Sequence, residues 1–199
     1  MFKHLTITIA ALAALLIQAP AQAETVEYAV DPAHTYVGFE VSHLMVSKVQ
    51  GQFKKYDGLI RYDASKPEKS YAEGTIRVAS IDTDNKKRDD HLRSPDFFDA
   101  EKYPEIKFHT TGVKKKGNKL IATGELTIKG VTKKVEFPVE VRGPVADPFQ
   151  PGKQRIGLSA ELTINRQDFG IRWNKTMEAG GLVVGNDVRI ILEVEAISQ

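Results

Sequence analysis

The sequence predicts an all-β fold, an extended antiparallel barrel with short helices between its strands. Two observations predict it. Apolar residues recur at every second position through several segments, the period of strands with one dry and one wet face. Turn-forming residues separate those segments at short intervals, the spacing of hairpins rather than of helical crossovers. About eight such strands enclose either a filled core or a space for one small ligand. Closing the sheet also removes the exposed edges that invite aggregation.

The elements follow in order. Val26–Val30 reads as a first strand. In the second, Thr35, Val37, Phe39, Val41 and His43 alternate with Tyr36, Gly38, Glu40 and Ser42. Residues 52–63, 71–80 and 105–113 read as further strands, and 120–128 is rich in β-formers. Val131, Val135, Phe137, Val139 and Val141 then alternate with Thr132, Lys134, Glu136 and Glu140. Ile156, Leu158, Ala160, Leu162 and Ile164 form one more dry face, and Val188, Ile190, Leu192, Val194 and Ala196 another. Turns are expected at Asp31-Pro32, Asp57-Gly58, Lys66-Pro67, Lys116-Gly117-Asn118, Lys129-Gly130, Gly143-Pro144 and Pro151-Gly152.

Two regions break this pattern. Residues 84–98 are charged and then aromatic; Asp84 is expected to cap one short helix, and Ser94 before Pro95 a second. Residues 166–185 form a long Gly-rich connection carrying Phe169, Ile171 and Trp173, and connections of that length are usually functional or mobile.

The N-terminus predicts export. A short basic start, an apolar stretch over residues 5–17, Pro20 and Ala21-Gln22-Ala23 make a secretory signal peptide over 1–23, cleaved after Ala23. Residues 24–199 then form one domain. The chain has no cysteine, so neither a lipobox nor a disulfide is available, and the fold relies on its own core. The 28 basic and 26 acidic residues nearly balance, without the clustered basic face of a nucleic-acid binder.

Catalytic signatures are lacking. There is no G-x-S-x-G elbow, phosphate loop or dinucleotide fingerprint. His34, His43, His91 and His109 are scattered, whereas a metal site needs converging ligands, so structural hydrogen bonding is expected of them. Asp89-Asp90 reads as part of a solvated helix face. Lys114-Lys115-Lys116, Lys119 and Lys133-Lys134 read as solubilising charge. Their other reading is a rim for anionic lipid headgroups, at about 1 kcal/mol per lysine. No catalytic residue, cofactor or metal is assigned.

The aromatic residues either fill a core or line a hollow. Strand parity turns Phe39, Val41, Phe53, Ile76, Phe108, Phe137, Leu158, Leu162 and Phe169 inward. With His43, Phe97, Phe98 and Trp173 they make the candidate ligand-contacting set. The segment 88–98 and the loop at 169–173 are expected to shape its mouth. Arg88, His91, Arg93 and Arg166 are candidate head-group contacts, because arginine suits phosphate and carbonyl oxygens. Arg88 and Arg166 equally fit structural bridges to Asp90 and Asp168.

The order of motifs resembles the YceI-like family of bacterial lipid-binding proteins. The likeness begins at Asp31-Pro32-Ala33-His34-Thr35 and continues through His43-Leu44 and Val49-Gln50-Gly51-Gln52-Phe53. It is most specific at Ala79-Ser80-Ile81-Asp82-Thr83 and from Arg88-Asp89-Asp90-His91-Leu92-Arg93 to Asp99. It closes on Gly124-Glu125-Leu126-Thr127-Ile128-Lys129-Gly130 and Arg166-Gln167-Asp168-Phe169-Gly170. The resemblance implies a lipocalin-like periplasmic barrel. Its expected partner is a long-chain lipid: a polyisoprenoid, an isoprenoid quinone or a fatty-acid derivative. A transient contact with a membrane surface is expected, with the protein a monomer or homodimer. Two other readings stay open. One is an accessory that presents a bound quinone, depending on His34 or His91. The other is a stress-related structural protein with a filled core.

Overall fold

A computed structural model describes residues 25–117, 119–178 and 180–199. The expected leader with its cleavage site at Ala23 lies outside the described residues, as does Asn118 of the expected 116–118 turn. The strands, in chain order, are β1 (Val26–Val30), β2 (Tyr36–His43), β3 (Ser47–Phe53), β4 (Tyr56–Tyr62), β5 (Tyr71–Arg77) and β6 (Ile81–Asp82), then β7 (Glu105–Lys116), β8 (Lys119–Ile128), β9 (Val131–Ala146), β10 (Gln154–Asn165) and β11 (Val184–Ser198). A single α-helix among the described residues, α1 (Lys86–Arg93), follows β6.

Every pairing is antiparallel. The ring runs β1-β4-β5-β7-β8-β9-β10-β11 and closes where Tyr28 of β1 faces Ser198 of β11, giving an eight-stranded barrel. The length of β11 lets it serve two partners on one edge. Its last residues pair with β1, while Val184 to Glu193 pair with β2, and β3 and β6 extend the sheet beyond. The all-β barrel expected from periodicity is therefore the fold observed.

Several local expectations need correction. The strand expected over 52–63 is two strands that break at Lys54-Lys55, whose amides bond to the carbonyl and hydroxyl of Ser80. Asp57-Gly58 is not a turn but lies inside β4, with Gly58 opposite Gly74. A Cβ at Gly58 would come within 2.8 Å of the Glu73 carbonyl oxygen, so close backbone approach explains the glycine. Gly143-Pro144 also lies inside a strand, β9, with Gly143 at φ 93° beside the register shift between Arg155 and Gly157. Such an irregularity tolerates a proline that cannot donate to the ladder. Asn85, not Asp84, caps α1, its side chain accepting the Arg88 N–H at 3.0 Å. Ser94 ends that helix rather than starting another.

The β2–β3 hairpin turns through Leu44 at φ 53° and Met45 at φ 61°, closed by the Val46 N–H on the His43 carbonyl at 3.2 Å. Two successive positive φ values normally select Asn-Gly. Bulky L-residues there cost roughly 1–2 kcal/mol each.

The core divides. Phe53, Val78, Ile81, Phe97, Ile106, Phe169 and Ile171 pack together beneath α1 and the 166–185 connection. Tyr28, Ile60, Ile156 and Ala196 pack where β1 joins the end of β11. Ala122, Phe137 and Ala160 form a third group on β8, β9 and β10.

Candidate ligand cavity

The inward faces of the strands enclose a cavity of about 330 Å³. An apolar hollow of about 150 Å³ already stays dry and takes up small apolar guests. Its wall follows β11 from Val184 to Val194, a run of about 33 Å at about 3.3 Å per residue. The lining thus extends along the strands, from the end near Val184 to the end near Tyr62 and Tyr71. Small inward residues keep it open: Ala122 and Ala160 sit on the wall among Phe137, Leu158 and Leu162.

Several polar groups on this wall are bonded to the protein's own backbone, while the Tyr71 hydroxyl donates to Glu73 and Asp57 accepts from Arg77. The Tyr56 hydroxyl donates to the Thr35 carbonyl. Thr110 Oγ1 accepts from the Ala72 N–H at 3.1 Å and donates to the Ala72 carbonyl at 3.0 Å. Arg166 is buried, and its guanidinium donates to the carbonyls of Gly185, Ile171 and Trp173 at 2.8, 3.0 and 2.9 Å. Burial lowers the pKa of that guanidinium below the usual arginine value. One wall hydroxyl differs: Ser70 Oγ is buried without a hydrogen-bond partner among the described residues.

The structure places the sequence-predicted residues in two groups. Phe39, Val41, Phe53, Ile76, Phe108, Phe137, Leu158, Leu162 and Phe169 line the cavity, and so do Phe97 and Phe98. His43, Arg88, His91 and Trp173 are not among the residues that line it. His91 and Trp173 meet edge to face at 4.9 Å, and both pack against Phe97, His91 edge-on and Trp173 tilted. His43 ends β2 opposite Val184.

The arginines mostly brace the structure. Arg88 donates to the Thr83 hydroxyl and carbonyl, both at 2.7 Å, and not to Asp90. Arg93 donates to the carbonyls of Ala79 and Ile81 and to Asp90. Arg166 reaches carbonyls and not Asp168. The acid pair of the helix also divides. Asp90 lies on the wet face with Lys86, but Asp89 is buried and accepts the Thr83 N–H and hydroxyl at 3.0 and 2.5 Å. A buried carboxylate holding two donors corrects the solvated reading of that residue.

Sequence reasoning missed the contribution of β4. Tyr56, Gly58, Ile60 and Tyr62 all reach the wall at period-two spacing. That signal was present, but reading Asp57-Gly58 as a turn concealed it.

A charged cluster sits beside the β1–β2 connection. Arg155 pairs with Asp147 at 2.8 Å, with Asp31 at 3.2 Å and with Glu195. His34 Nδ1 meets Asp31 at 2.8 Å. That bond holds the Asp31 carboxyl below its ordinary pKa and raises His34. Asp147 is lowered chiefly by the Phe149 backbone N–H. Ligand atoms of Asp31, His34 and Glu195 converge within 4.8 Å, but the Arg155 guanidinium already neutralises both carboxylates. The arrangement fits a knot tying the connection to β10 and β11 better than a cation site.

The sequence matches the YceI-like domain over residues 28–196. The chain belongs to the YceI family. UPF0312 protein plu2095 of Photorhabdus laumondii is 38% identical over 192 residues, covering 95% of this chain and 99% of the relative. UPF0312 protein SA2479 of Staphylococcus aureus is 39% identical over 165 residues, covering 83% and 94%. Solved YceI-type barrels superpose well. BcnA of Burkholderia cenocepacia gives a TM-score of 0.73 at 29% identity, covering 83% of this chain and 98% of that one. The YCEI protein of Campylobacter jejuni gives 0.66 at 37% identity, covering 85% and 95%. A polyisoprenoid-binding domain from Saccharophagus degradans gives 0.64 at 15% identity, covering 88% and 100%, a likeness of fold. The YceI barrel of this chain thus keeps its architecture across distant sequences.

Proposed function

We propose that this YceI-family barrel binds one long-chain apolar lipid along its interior and carries or stores it, without performing chemistry on it. The observation that carries this reading is the cavity, walled chiefly by aliphatic and aromatic side chains, with Thr110 and Arg166 among its polar groups bonded to the backbone. Water gains few partners in such a space, while each methylene buried there contributes about 0.8 kcal/mol. A polyisoprenoid, an isoprenoid quinone or a fatty-acid derivative supplies an apolar chain to lie along that wall. The fold likeness to a polyisoprenoid-binding domain supports the same class. A filled core would leave no such space. The leader-like N-terminus supports export to the periplasm, where a soluble carrier shields a lipid between membranes.

A thermal-shift panel tests the reading. The purified protein is heated with geranylgeraniol, decaprenol, ubiquinone or palmitamide delivered from cyclodextrin. A lipid at about 100 times its dissociation constant adds about 2.7 kcal/mol of stability, a clear rise in melting temperature. No shift with any of the four overturns the proposal.

A further inference from the structure

The tip of the β2–β3 hairpin exposes three apolar side chains in a row, Leu44 at 39%, Met45 at 70% and Val46 at 83%. The neighbouring loop adds Leu182 at 37%. These form one surface. The Leu44 N–H donates to the Val183 carbonyl at 2.8 Å, and Met45 Sδ and Met177 Cε lie over Gly181, where a Cβ would meet them at 2.5 and 3.3 Å. Single exposed apolar residues are ordinary, but a contiguous group contributed by two loops marks an interaction surface. The backbone adds a separate argument. Leu44 and Met45 occupy the positive-φ positions that favour Asn-Gly, so turn geometry does not account for apolar residues there.

The place of this tip in the barrel indicates what it meets. His43, just before it, faces Val184, and Val41 and Val184 are on the cavity wall. Val188 and Ile164 continue the wall inward as another apolar pair. Arg172 and Lys175 are exposed in the adjoining connection between Ile171 and Leu182, which also carries the acid Glu178, with Asp168 further back beside Phe169. The opposite end of the barrel differs. Its wall carries Ser70, Tyr71 and Glu73, and among the described residues its large exposed apolar side chains, Val145 and Phe149, come from one hairpin.

We propose that Leu44, Met45 and Val46, with Leu182 beside them, insert into the interfacial layer of an anionic bilayer and seat this end of the cavity on the membrane. The inference rests on the lipid-binding reading and assigns the surface through which lipid is exchanged. Apolar side chains enter the boundary between headgroups and acyl chains, the flexible methionine adapts to it, and Arg172 and Lys175 meet the phosphates.

Flotation with vesicles of phosphatidylethanolamine and phosphatidylglycerol tests it. The variant L44N/M45G/V46T places Asn-Gly at the positive-φ positions, so the hairpin folds at least as well as before. F149S is the comparator at the other end. Wild type and F149S should float. The triple variant should partition at least about tenfold more weakly, the least that loss of three inserted apolar side chains implies. It should still take up geranylgeraniol from cyclodextrin as wild type does. Equal flotation of the triple variant, no flotation of wild type, or loss of flotation in F149S overturns the proposal. So does sedimentation showing a wild-type dimer that the triple variant breaks, because the tip then joins two copies. Failure of all three proteins to take up lipid from cyclodextrin overturns the lipid-binding reading, whereas failure of flotation with uptake intact overturns only the docking surface.

Discussion

The Arg166 guanidinium donates to the Trp173 carbonyl at 2.9 Å, fastening the long connection before β11 against the end of β10. Its other bonds reach Ile171 and Gly185, so one buried cation organises both ends of that loop. Arg166→Met should therefore lower unfolding stability by at least about 3 kcal/mol, since charge-assisted bonds worth about 1.5–3 kcal/mol each vanish and leave buried carbonyls unpartnered. Arg166→Lys should lose less than Met but not recover fully, because an ammonium lacks the planar fork. Denaturant unfolding reads both values; a loss under about 1 kcal/mol in the Met variant, less than a single charge-assisted bond is worth, would contradict this role.

Ala160 sits on the cavity wall between Leu158 and Leu162. In a filled interior, Ala160→Leu would overpack and cost about 1–3 kcal/mol. In a hollow one, the added carbons enter empty space. The melting temperature without lipid should hold or rise, and uptake of a long-chain lipid should fall. A marked drop in stability with lipid uptake unchanged would indicate a closed centre.

The barrel was legible in the sequence because period-two patterning survives wherever one face stays dry, as in β10 and β11, whose register follows the predicted alternation throughout. It failed where glycine carried a meaning other than a turn. Gly58 is present because Gly74 and the Glu73 carbonyl come close across the sheet, a contact that local sequence does not reveal. Gly143 marks an irregularity inside β9, which depends on β10 for its geometry. The inward aromatic residues followed from parity, but the roles of Arg88 and Arg166 did not. An arginine beside an acid reads as an ion pair, and only the three-dimensional path of the loops shows that Thr83 and the carbonyls of Ile171 and Trp173 are nearer.

Ser70 Oγ reaches the cavity wall without a partner among the described residues. An unsatisfied buried hydroxyl costs about 1–3 kcal/mol. Ser70→Ala should leave the lipid-free protein at least as stable as wild type by denaturant titration, in contrast to most buried polar deletions. Affinity for a lipid with a hydroxyl or carbonyl head group should fall, while affinity for a plain hydrocarbon of equal length should not. A destabilised lipid-free variant would mean that the hydroxyl is bonded in solution.

Asp147 accepts the Phe149 and Gln150 amides at 2.8 and 3.2 Å and pairs with Arg155 at 2.8 Å, which hold its pKa below the ordinary value. A carboxyl lowered by folding stabilises fully above its unfolded pKa of about 3.9 and loses that contribution as pH falls through the folded value. Asp147→Asn should therefore reduce stability at neutral pH and make the further loss below about pH 4 shallower than in wild type. Parallel stability–pH curves for the two proteins would show that this carboxylate is not linked to folding.

Native mass spectrometry of the protein purified from its own host, followed by lipid extraction, tests the central claim most directly. The account predicts a complex heavier than the bare chain by the mass of one long-chain lipid, and that excess should shrink in Ala160→Leu. A protein that emerges at its bare mass and acquires no polyprenyl, quinone or fatty-acid species on incubation would contradict it.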